Sequence, residues 1–121
     1  MRDLLKAIRA LSDETRIRIL NLLFERECCV CEVMQALDIS QTRASRNLST
    51  LYDAGFLKRR KEGLWSLYSL KNEEDAPTYF AEIIEVIKKG LKGNRVAAQD
   101  RKSLKNVERV GPTCVKRQRR R

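Results

Sequence analysis

The sequence of 121 residues contains no histidine, which removes several kinds of functional site at once. Ser-His-Asp and Cys-His nucleophiles, histidine-ligated zinc and a histidine pH switch are all excluded. There are only two prolines and five glycines, too few for a collagen-like or low-complexity chain. No apolar run approaches the ~18 residues of a membrane helix, and Met1 to Lys6 carry charges where a signal peptide would be apolar. We therefore expect a cytoplasmic protein with one ordinary domain and no membrane partner.

Positive charge is abundant and unevenly distributed along the chain. Lys and Arg number 26 against 16 Asp and Glu, a net charge of +10. Ten basic and two acidic side chains lie in residues 95–121, whereas residues 1–94 are nearly neutral. This distribution predicts a folded domain over 1–94 and a basic, flexible tail over 95–121. Nucleic acid is the simplest partner for such a tail; an acidic membrane surface and a purely solubilising role are the alternatives.

The spacing of apolar residues predicts five helices. The first covers residues 3–11, and Ser12 is expected to cap the second. A short third helix follows, and then a longer fourth helix over residues 41–54. Ser40 is a suitable cap for its beginning, and Gly55 is suited to a left-handed stop at its end. A fifth helix carries an apolar stripe before the basic tail begins.

A β-hairpin is expected between the fourth and fifth helices. Residues 57–61 and 64–70 flank Glu62-Gly63, an acid-glycine pair suited to a tight turn. A short helix, a four-residue turn and a capped longer helix form a helix-turn-helix, and the hairpin that follows is a wing. The predicted fold is mainly α with a β-hairpin, a winged helix-turn-helix.

The first and last of the five helices have more apolar surface than a small DNA reader needs. Because symmetric DNA half-sites are commonly read by two-fold dimers, we assign this surface to a homodimer interface. The residues expected in the interface are Leu4, Leu5, Ile8, Phe80, Ile83, Ile84, Ile87 and Leu91.

The fourth helix has a core face and a polar face that lacks an acid before Asp53. Arginine can pair with guanine, asparagine with adenine, and hydroxyls with phosphates, so the polar face suits the major groove of double-stranded DNA. Four consecutive cations near the hairpin tip suit phosphates or the minor groove. A solvated helix face and protective edge-strand lysines are the alternative interpretations. The predicted DNA-binding residues are Gln41, Thr42, Arg43, Ser45, Arg46, Asn47, Thr50, Lys58, Arg59, Arg60 and Lys61.

Three of the four cysteines, Cys28, Cys29 and Cys31, crowd the entry to the third helix. A helix N-terminus is expected to lower their pKa and favour thiolates, which select soft ions such as As(III), Sb(III), Cd(II), Pb(II) or Cu(I). Cys29 and Cys31 point the same way in an extended segment but diverge by ~200° in a regular helix. A bound ion would therefore distort the start of the helix and compete with DNA binding. A thiol redox sensor and small buried side chains are the alternatives.

Over residues 10–20, 29–33, 40–48, 54–57 and 63–70, the chain resembles the ArsR family of metal-responsive repressors, and particularly the arsenical-resistance type. The resemblance implies a homodimer without enzymatic activity or an organic cofactor. Such a dimer binds operator DNA and is released when As(III) or Sb(III) binds Cys29 and Cys31.

One feature of that family pattern is missing. Its third arsenic thiolate follows the pair by three residues, where this chain has Met34. Cys28, Cys114 and an exogenous ligand remain candidates for the third position. The family's cadmium and lead sensors share the pair but add cysteines from an N-terminal extension. Because no cysteine precedes Cys28 in this sequence, the resemblance favours As(III) or Sb(III). A Cd(II)-, Pb(II)- or redox-responsive repressor, and an RNA-binding or architectural protein with inert cysteines, are the alternatives.

Overall fold

The computed structural model describes residues 1–109, which fold into helices around a small antiparallel sheet. None of the helices in this described part is long and apolar enough to cross a membrane. A short 3-10 turn, Glu73–Asp75, precedes the fifth α-helix. In chain order the elements are α1 (Arg2–Leu11), α2 (Glu14–Leu23), β1 (Cys28–Cys29), α3 (Val30–Leu37), α4 (Gln41–Asp53), β2 (Leu57–Glu62), β3 (Trp65–Leu70), α5 (Phe80–Leu91) and α6 (Arg95–Leu104).

Helices α3 and α4 form the predicted helix-turn-helix. Asp38 ends α3 in a left-handed conformation, with φ of 54°, which turns the chain sharply. The Ser40 hydroxyl then accepts the N–H of Arg43 at 3.1 Å and caps α4. Gly55 has φ of +93° just beyond the end of α4, a conformation that glycine adopts without a steric penalty. Both boundary predictions for α4 are confirmed. The cap of α2 differs: Asp13, not Ser12, accepts the N–H of Arg16.

Strands β2 and β3 form the predicted wing, but the sheet has a third strand. Its order is β1-β3-β2, with β1 antiparallel to β3. Cys28 lies opposite Tyr68 and Cys29 opposite Leu67. The cysteine segment is therefore part of the wing sheet as well as the entry to α3.

The core lies between the helices and one face of this sheet. Phe80 and Ile84 are only 5% and 7% exposed, and both pack within this core. The prediction that these two residues form the dimer interface is wrong for this fold, because they point inward from α5 and pack against their own chain. Phe80 contacts Phe56, with ring centroids 5.9 Å apart.

Helix α6 corrects the prediction that a flexible tail begins at residue 95. Asp100, 3% exposed, accepts two hydrogen bonds from Arg18, at 2.7 and 2.9 Å. Asn21 donates to the carbonyl of Ala97 at 3.0 Å and accepts from Arg101 at 3.0 Å. These bonds to α2 hold a helix whose own sequence has too few apolar residues to show a periodicity. The remaining part of the predicted tail, residues 110–121 with Cys114, lies outside the described residues.

Candidate functional site

Two of the three clustered cysteines belong to one small cluster of packed apolar side chains, which we call the thiol pocket. Cys29 and Cys31 are 2% and 4% exposed and pack with Leu67 and Trp65. Cys28 is fully buried in the main core instead. The split follows from the backbone, because successive residues of a strand point to opposite faces of the sheet. Cys29 and Cys31 come together because Cys29 is extended, with φ of −88° and ψ of 169°, before the helix begins.

All three thiols are free and buried, and burial controls the ionisation of two of them. It raises the pKa of Cys28 to about 12. It also raises the pKa of Cys29, although the backbone N–H of Glu32 acts in the opposite direction. The expectation that the helix N-terminus would lower these pKa values is therefore wrong for Cys28 and Cys29, because loss of solvation outweighs the helix dipole.

Glu32 organises the start of α3. Its buried carboxylate accepts the N–H of Cys29 at 3.0 Å, which completes a capping box across the first turn. Arg26 donates to the same carboxylate at 2.8 Å and Arg109 at 3.2 Å. Burial opposes ionisation of Glu32, but the Cys29 N–H and the two arginines outweigh it and keep its pKa below the usual range. The backbone that positions the thiol pair is thus held by charge-assisted hydrogen bonds.

Residues 105–109, which we call the C-terminal strap, lie against the thiol pocket. Gln35 donates to the carbonyl of Glu108 at 2.7 Å and accepts its N–H at 3.2 Å. The same Gln35 amide group donates to the sulfur of Cys31 at 3.2 Å. The Arg109 guanidinium lies 5.8 Å from the ring centroid of Trp65. The sequence carried no signal of this cover, because its contacts span more than 70 residues.

The described residues contain no group of three His, Cys, Asp or Glu side chains that could hold an ion. Cys29 and Cys31 are the two sulfurs that lie together and could hold a soft ion, whereas Cys28 packs in the main core. Cys114, the other candidate thiol, lies outside the described residues. The indole Nε1 of Trp65 is buried and has no hydrogen-bond partner within residues 1–109.

The polar face of α4 is accessible, but its side chains differ in exposure and in the hydrogen bonds that they make within the protein. Gln41, Thr42, Arg43 and Arg46 are exposed. Arg46 makes no ion pair within the described part of the chain, whereas Arg43 donates to Thr15 at 2.9 Å. Three other predicted DNA-binding residues of α4 are half-buried: Ser45, Asn47 and Thr50. Arg46 is thus the arginine best placed to bond outward.

The side chains of Asn47 and Thr50 form hydrogen bonds to other groups of the same chain. Asn47 accepts a hydrogen bond from Arg16 at 3.0 Å and donates to the carbonyl of Arg43 at 2.9 Å. The Thr50 hydroxyl donates to the carbonyl of Arg46 at 3.0 Å. The sequence pattern of α4 could not reveal the bond from Arg16 to Asn47, since Arg16 lies on α2.

The four wing cations are exposed and have different neighbours. Arg59 stacks on Tyr52 of α4, with its guanidinium 4.5 Å from the ring centroid. Arg60 forms ion pairs with Glu27 and, at 3.2 Å, with Glu62. Lys58 donates to Asn72 at 3.2 Å, and Lys61 makes no ion pair among residues 1–109. Arg60 is therefore largely neutralised, whereas the Arg59 stack joins the wing to α4.

Apolar surface remains exposed on α1 and α5. Leu4, Leu5 and Ile8 are 38%, 41% and 51% exposed. On α5, Ile83, Ile87 and Leu91 are half-buried, and Val86, which the sequence reading did not select, is 68% exposed. This surface is available for contact with a partner, unlike the buried side chains of Phe80 and Ile84.

Known proteins resemble this chain in sequence. The family model for bacterial regulatory proteins of the arsR family matches residues 13–59. The arsenical resistance operon repressor of Escherichia coli is 42% identical over 82 residues, which cover 67% of this chain and 68% of that protein. A cadmium resistance transcriptional regulatory protein, a CadC homolog from Staphylococcus aureus, is 43% identical over 72 residues, or 59% of this chain and 60% of that protein.

The fold is also similar to a solved structure. This is the homodimeric winged helix-turn-helix DNA-binding domain of a possible ArsR-family regulator from Mycobacterium bovis. The TM-score is 0.64 at 24% identity, and the match covers 78% of this chain and 82% of that one. The winged helix-turn-helix predicted from the sequence is confirmed.

Proposed function

The chain belongs to the ArsR family of bacterial regulatory proteins, and we propose that it is a metalloid-responsive transcriptional repressor. Its dimer binds a two-fold operator and leaves the DNA when As(III) or Sb(III) binds Cys29 and Cys31. The observation that carries this proposal is the pairing of these two thiols in one pocket, at the junction of the helix-turn-helix and the wing. The cytoplasmic location stays a prediction.

The raised pKa of Cys29 supports a trivalent metalloid over a divalent ion. Burial raises the pKa of Cys29, so the thiol keeps its proton near neutral pH. Arsenous acid supplies its own proton acceptors, because each sulfur–arsenic bond forms as a thiol proton and an arsenic-bound hydroxide leave together as water. Cd(II) or Pb(II) must instead release a free proton for every thiol that it binds. A buried thiol that keeps its proton therefore suits arsenous or antimonous acid better than a divalent ion.

Coupling to DNA follows from the two elements that share the cysteine segment. Cys31 lies in the first turn of α3, and Cys29 lies in β1 opposite Leu67 of the wing. Holding both sulfurs on one ion strains the bond between the Cys29 N–H and Glu32 and the register of β1 on β3. A small displacement there moves the helix-turn-helix and the wing together. Allosteric coupling of this kind is typically ~1–3 kcal/mol, or about a 5–150-fold change in affinity.

The DNA-binding part of the proposal rests on Arg46 and on exposed cations at the wing. Arg46 is exposed on α4 and is free to donate to a guanine in the major groove. The dimer would form through the exposed apolar surface of α1 and α5, around Ile8 and Val86. Contacts of residues 110–121 with DNA phosphates stay a prediction from their charge.

The test is release of labelled operator DNA, with the operator first located by footprinting. Arsenite should release the DNA from wild-type protein and from Cys28→Ser, whose site points into the core. It should not release DNA from Cys29→Ser or Cys31→Ser. A normal response of both variants would show that the inducer binds elsewhere. Adding Cys114→Ser to the series tests whether that thiol supplies the third ligand.

The alternative inducers are distinguished in the same assay. The arsenite response should change little between about pH 6 and pH 8, since no free proton is released, whereas a Cd(II) response should strengthen steeply with pH. A strong, pH-dependent Cd(II) response without an arsenite response would make the protein a divalent-ion sensor. Release by peroxide in metal-free buffer, with loss of two hydrogens from the protein mass, would make it a redox sensor.

A further inference from the structure

Arg16 of α2 connects α2 to both α1 and α4. Its Nε donates to the carbonyl of Ala10 at 2.6 Å and one Nη to the carbonyl of Arg9 at 3.4 Å, both in the last turn of α1. Its other Nη donates to Asn47 of α4 at 3.0 Å. The side chain itself belongs to α2 and is 19% exposed. A single guanidinium thus holds the end of α1 and the middle of α4.

The chemistry of these contacts favours a fixed geometry. The last carbonyls of a helix lack partners within the helix and carry partial negative charge, so a cation binds there favourably. The planar guanidinium presents its donors in a rigid fork, which sets the angle between the groups that it binds. Asp13, 3.9 Å from the same Nη, adds a carboxylate that keeps the guanidinium in place. A lysine, with one rotatable ammonium, could not hold both sides in this way.

Asn47 is the second half of the connection. Its Oδ1 accepts from Arg16, and its Nδ2 donates to the carbonyl of Arg43, one turn earlier on α4. These two bonds turn the amide toward α2. Pairing with adenine requires the amide oxygen and the amide N–H₂ to face a base edge together. Asn47 would have to leave both partners to read a base.

We propose that Arg16 and Asn47 act as one positioning unit that fixes α4 against the end of α1, and that Asn47 reads no base. This inference rests on the proposed function, in which α1 lies at the dimer interface. The unit then sets the distance and angle between the two recognition helices, and hence the half-site spacing that the dimer accepts. Arg16 and Asn47 are positioning residues, and Arg46 remains the residue that faces the bases.

The experiment measures the affinity of full-length dimers for the footprinted operator and for versions with the half-sites moved apart or together by one base pair. Wild-type protein should prefer the original spacing. Arg16→Gln and Asn47→Ala should each bind the original operator on the order of 10–100-fold more weakly and should lose the preference for one spacing. The double variant should be no weaker than the weaker single variant, because both remove the same connection.

Arg18→Gln is the matched control. Arg18 also lies on α2, and its substitution also removes hydrogen bonds to another helix. Its partner, however, is Asp100 on α6. It should lower the urea midpoint of unfolding and leave the spacing preference unchanged. If Arg16→Gln fails to fold, two milder variants still test the unit. Asn47→Ala removes only the bond to α4 and leaves the Arg16 bonds to α1, and Arg16→Lys keeps the positive charge but not the guanidinium fork. Both should lose the preference for one spacing.

The proposal is overturned if Asn47→Ala changes the preferred base at one operator position while Arg16→Gln keeps wild-type affinity and spacing. It is also overturned if the losses in the two single variants multiply in the double variant. Failure of the proposed function looks different, because the wild-type protein would then show no protected two-fold site at all.

Discussion

Individual side chains around the β1–α3 junction have separate tasks that their spacing in the chain obscures. Cys28 faces the main core, whereas Cys29 and Cys31 share the pocket with Trp65. The neighbouring Glu32 keeps its charge inside the protein because the Cys29 N–H and two arginines surround it. The three clustered thiols therefore divide into one that packs in the main core and two that lie together beside the wing.

Cys28 should make folding stability fall in alkaline solution. Its pKa in the folded protein, about 12, lies above its ordinary value of 9.0, so the unfolded chain loses this proton first as the pH rises. The contribution is complete below pH 9 and disappears towards pH 12. Between pH 9 and about pH 10 it should lower the free energy of unfolding by about 1 kcal/mol. Urea unfolding of wild-type protein and Cys28→Ala at both pH values measures the difference.

Val33→Ala is the control for the cavity that such a truncation leaves. Val33 is as buried as Cys28 but does not titrate. It should lower stability equally at both pH values and keep the alkaline fall. An unchanged pH dependence in Cys28→Ala would mean that this thiol is not the group responsible.

Among the predicted DNA contacts, Arg46 and Arg60 should behave differently. Arg46→Ala should weaken operator binding by about 1–3 kcal/mol and random-DNA binding much less, because its guanidinium faces outward from α4. Arg60→Ala should have the smaller effect, since Glu27 and Glu62 already pair with its charge. Fluorescence anisotropy with operator and random duplexes measures both. Equal losses on the two DNAs for Arg46→Ala would assign that residue to phosphate contacts.

At the scale of elements, periodicity was informative wherever a helix has one apolar face. It located α1 to α5 within a few residues, and the glycine-containing turn located the wing. It missed β1, which has only two residues and exists because Cys28 and Cys29 pair with β3. It missed α6 because the bonds from Arg18 and Asn21 that stabilise this helix are made by a distant element.

The candidate site was predictable to a similar degree. The pairing of Cys29 and Cys31 follows from their spacing and from the extended backbone at Cys29, just before α3 begins. The raised pKa of Cys29 could not be predicted in this way, because the burial that causes it depends on Leu67 and the surrounding fold. The bond from Arg16 to Asn47 was equally inaccessible, since Arg16 precedes Asn47 by 31 residues.

The C-terminal strap should slow the access of reagents to the thiol pocket. Arg109→Ala removes the bonds to Glu32 and the contact with Trp65, so the strap should open more often. Cys29 and Cys31 should then react with iodoacetamide roughly 3–10-fold faster, while Cys28 stays protected in the core. Mass spectrometry of the modified peptides over time measures each rate.

Lys105→Ala controls for the loss of one cation from the same strap. Lys105 is exposed, and its side chain makes no ion pair within residues 1–109. In Lys105→Ala, Cys29 and Cys31 should react at the wild-type rate. If Arg109→Ala also reacts at that rate, the strap does not limit access to the pocket.

For the whole molecule, two-fold DNA recognition requires a dimer, and the exposed apolar face of α1 is the surface to test. Ile8→Glu places a charge where the proposed interface excludes water, so sedimentation should show monomers at concentrations where wild-type protein dimerises. Operator affinity should fall with it. Leu64→Glu is the control, because Leu64 is 78% exposed on the wing and should leave the dimer intact. Dimers of Ile8→Glu as stable as wild type would move the interface elsewhere.

Hydrogen exchange of the operator-bound dimer, with and without arsenite, tests whether inducer and DNA compete for the backbone at the start of α3. The amide to follow is that of Cys29, whose N–H bonds to Glu32. Arsenite should accelerate exchange at Cys29 and in the first turn of α3 as DNA is released, and neither change should occur in Cys31→Ser. Release of DNA with unchanged exchange in this segment would show that the inducer works without disturbing it.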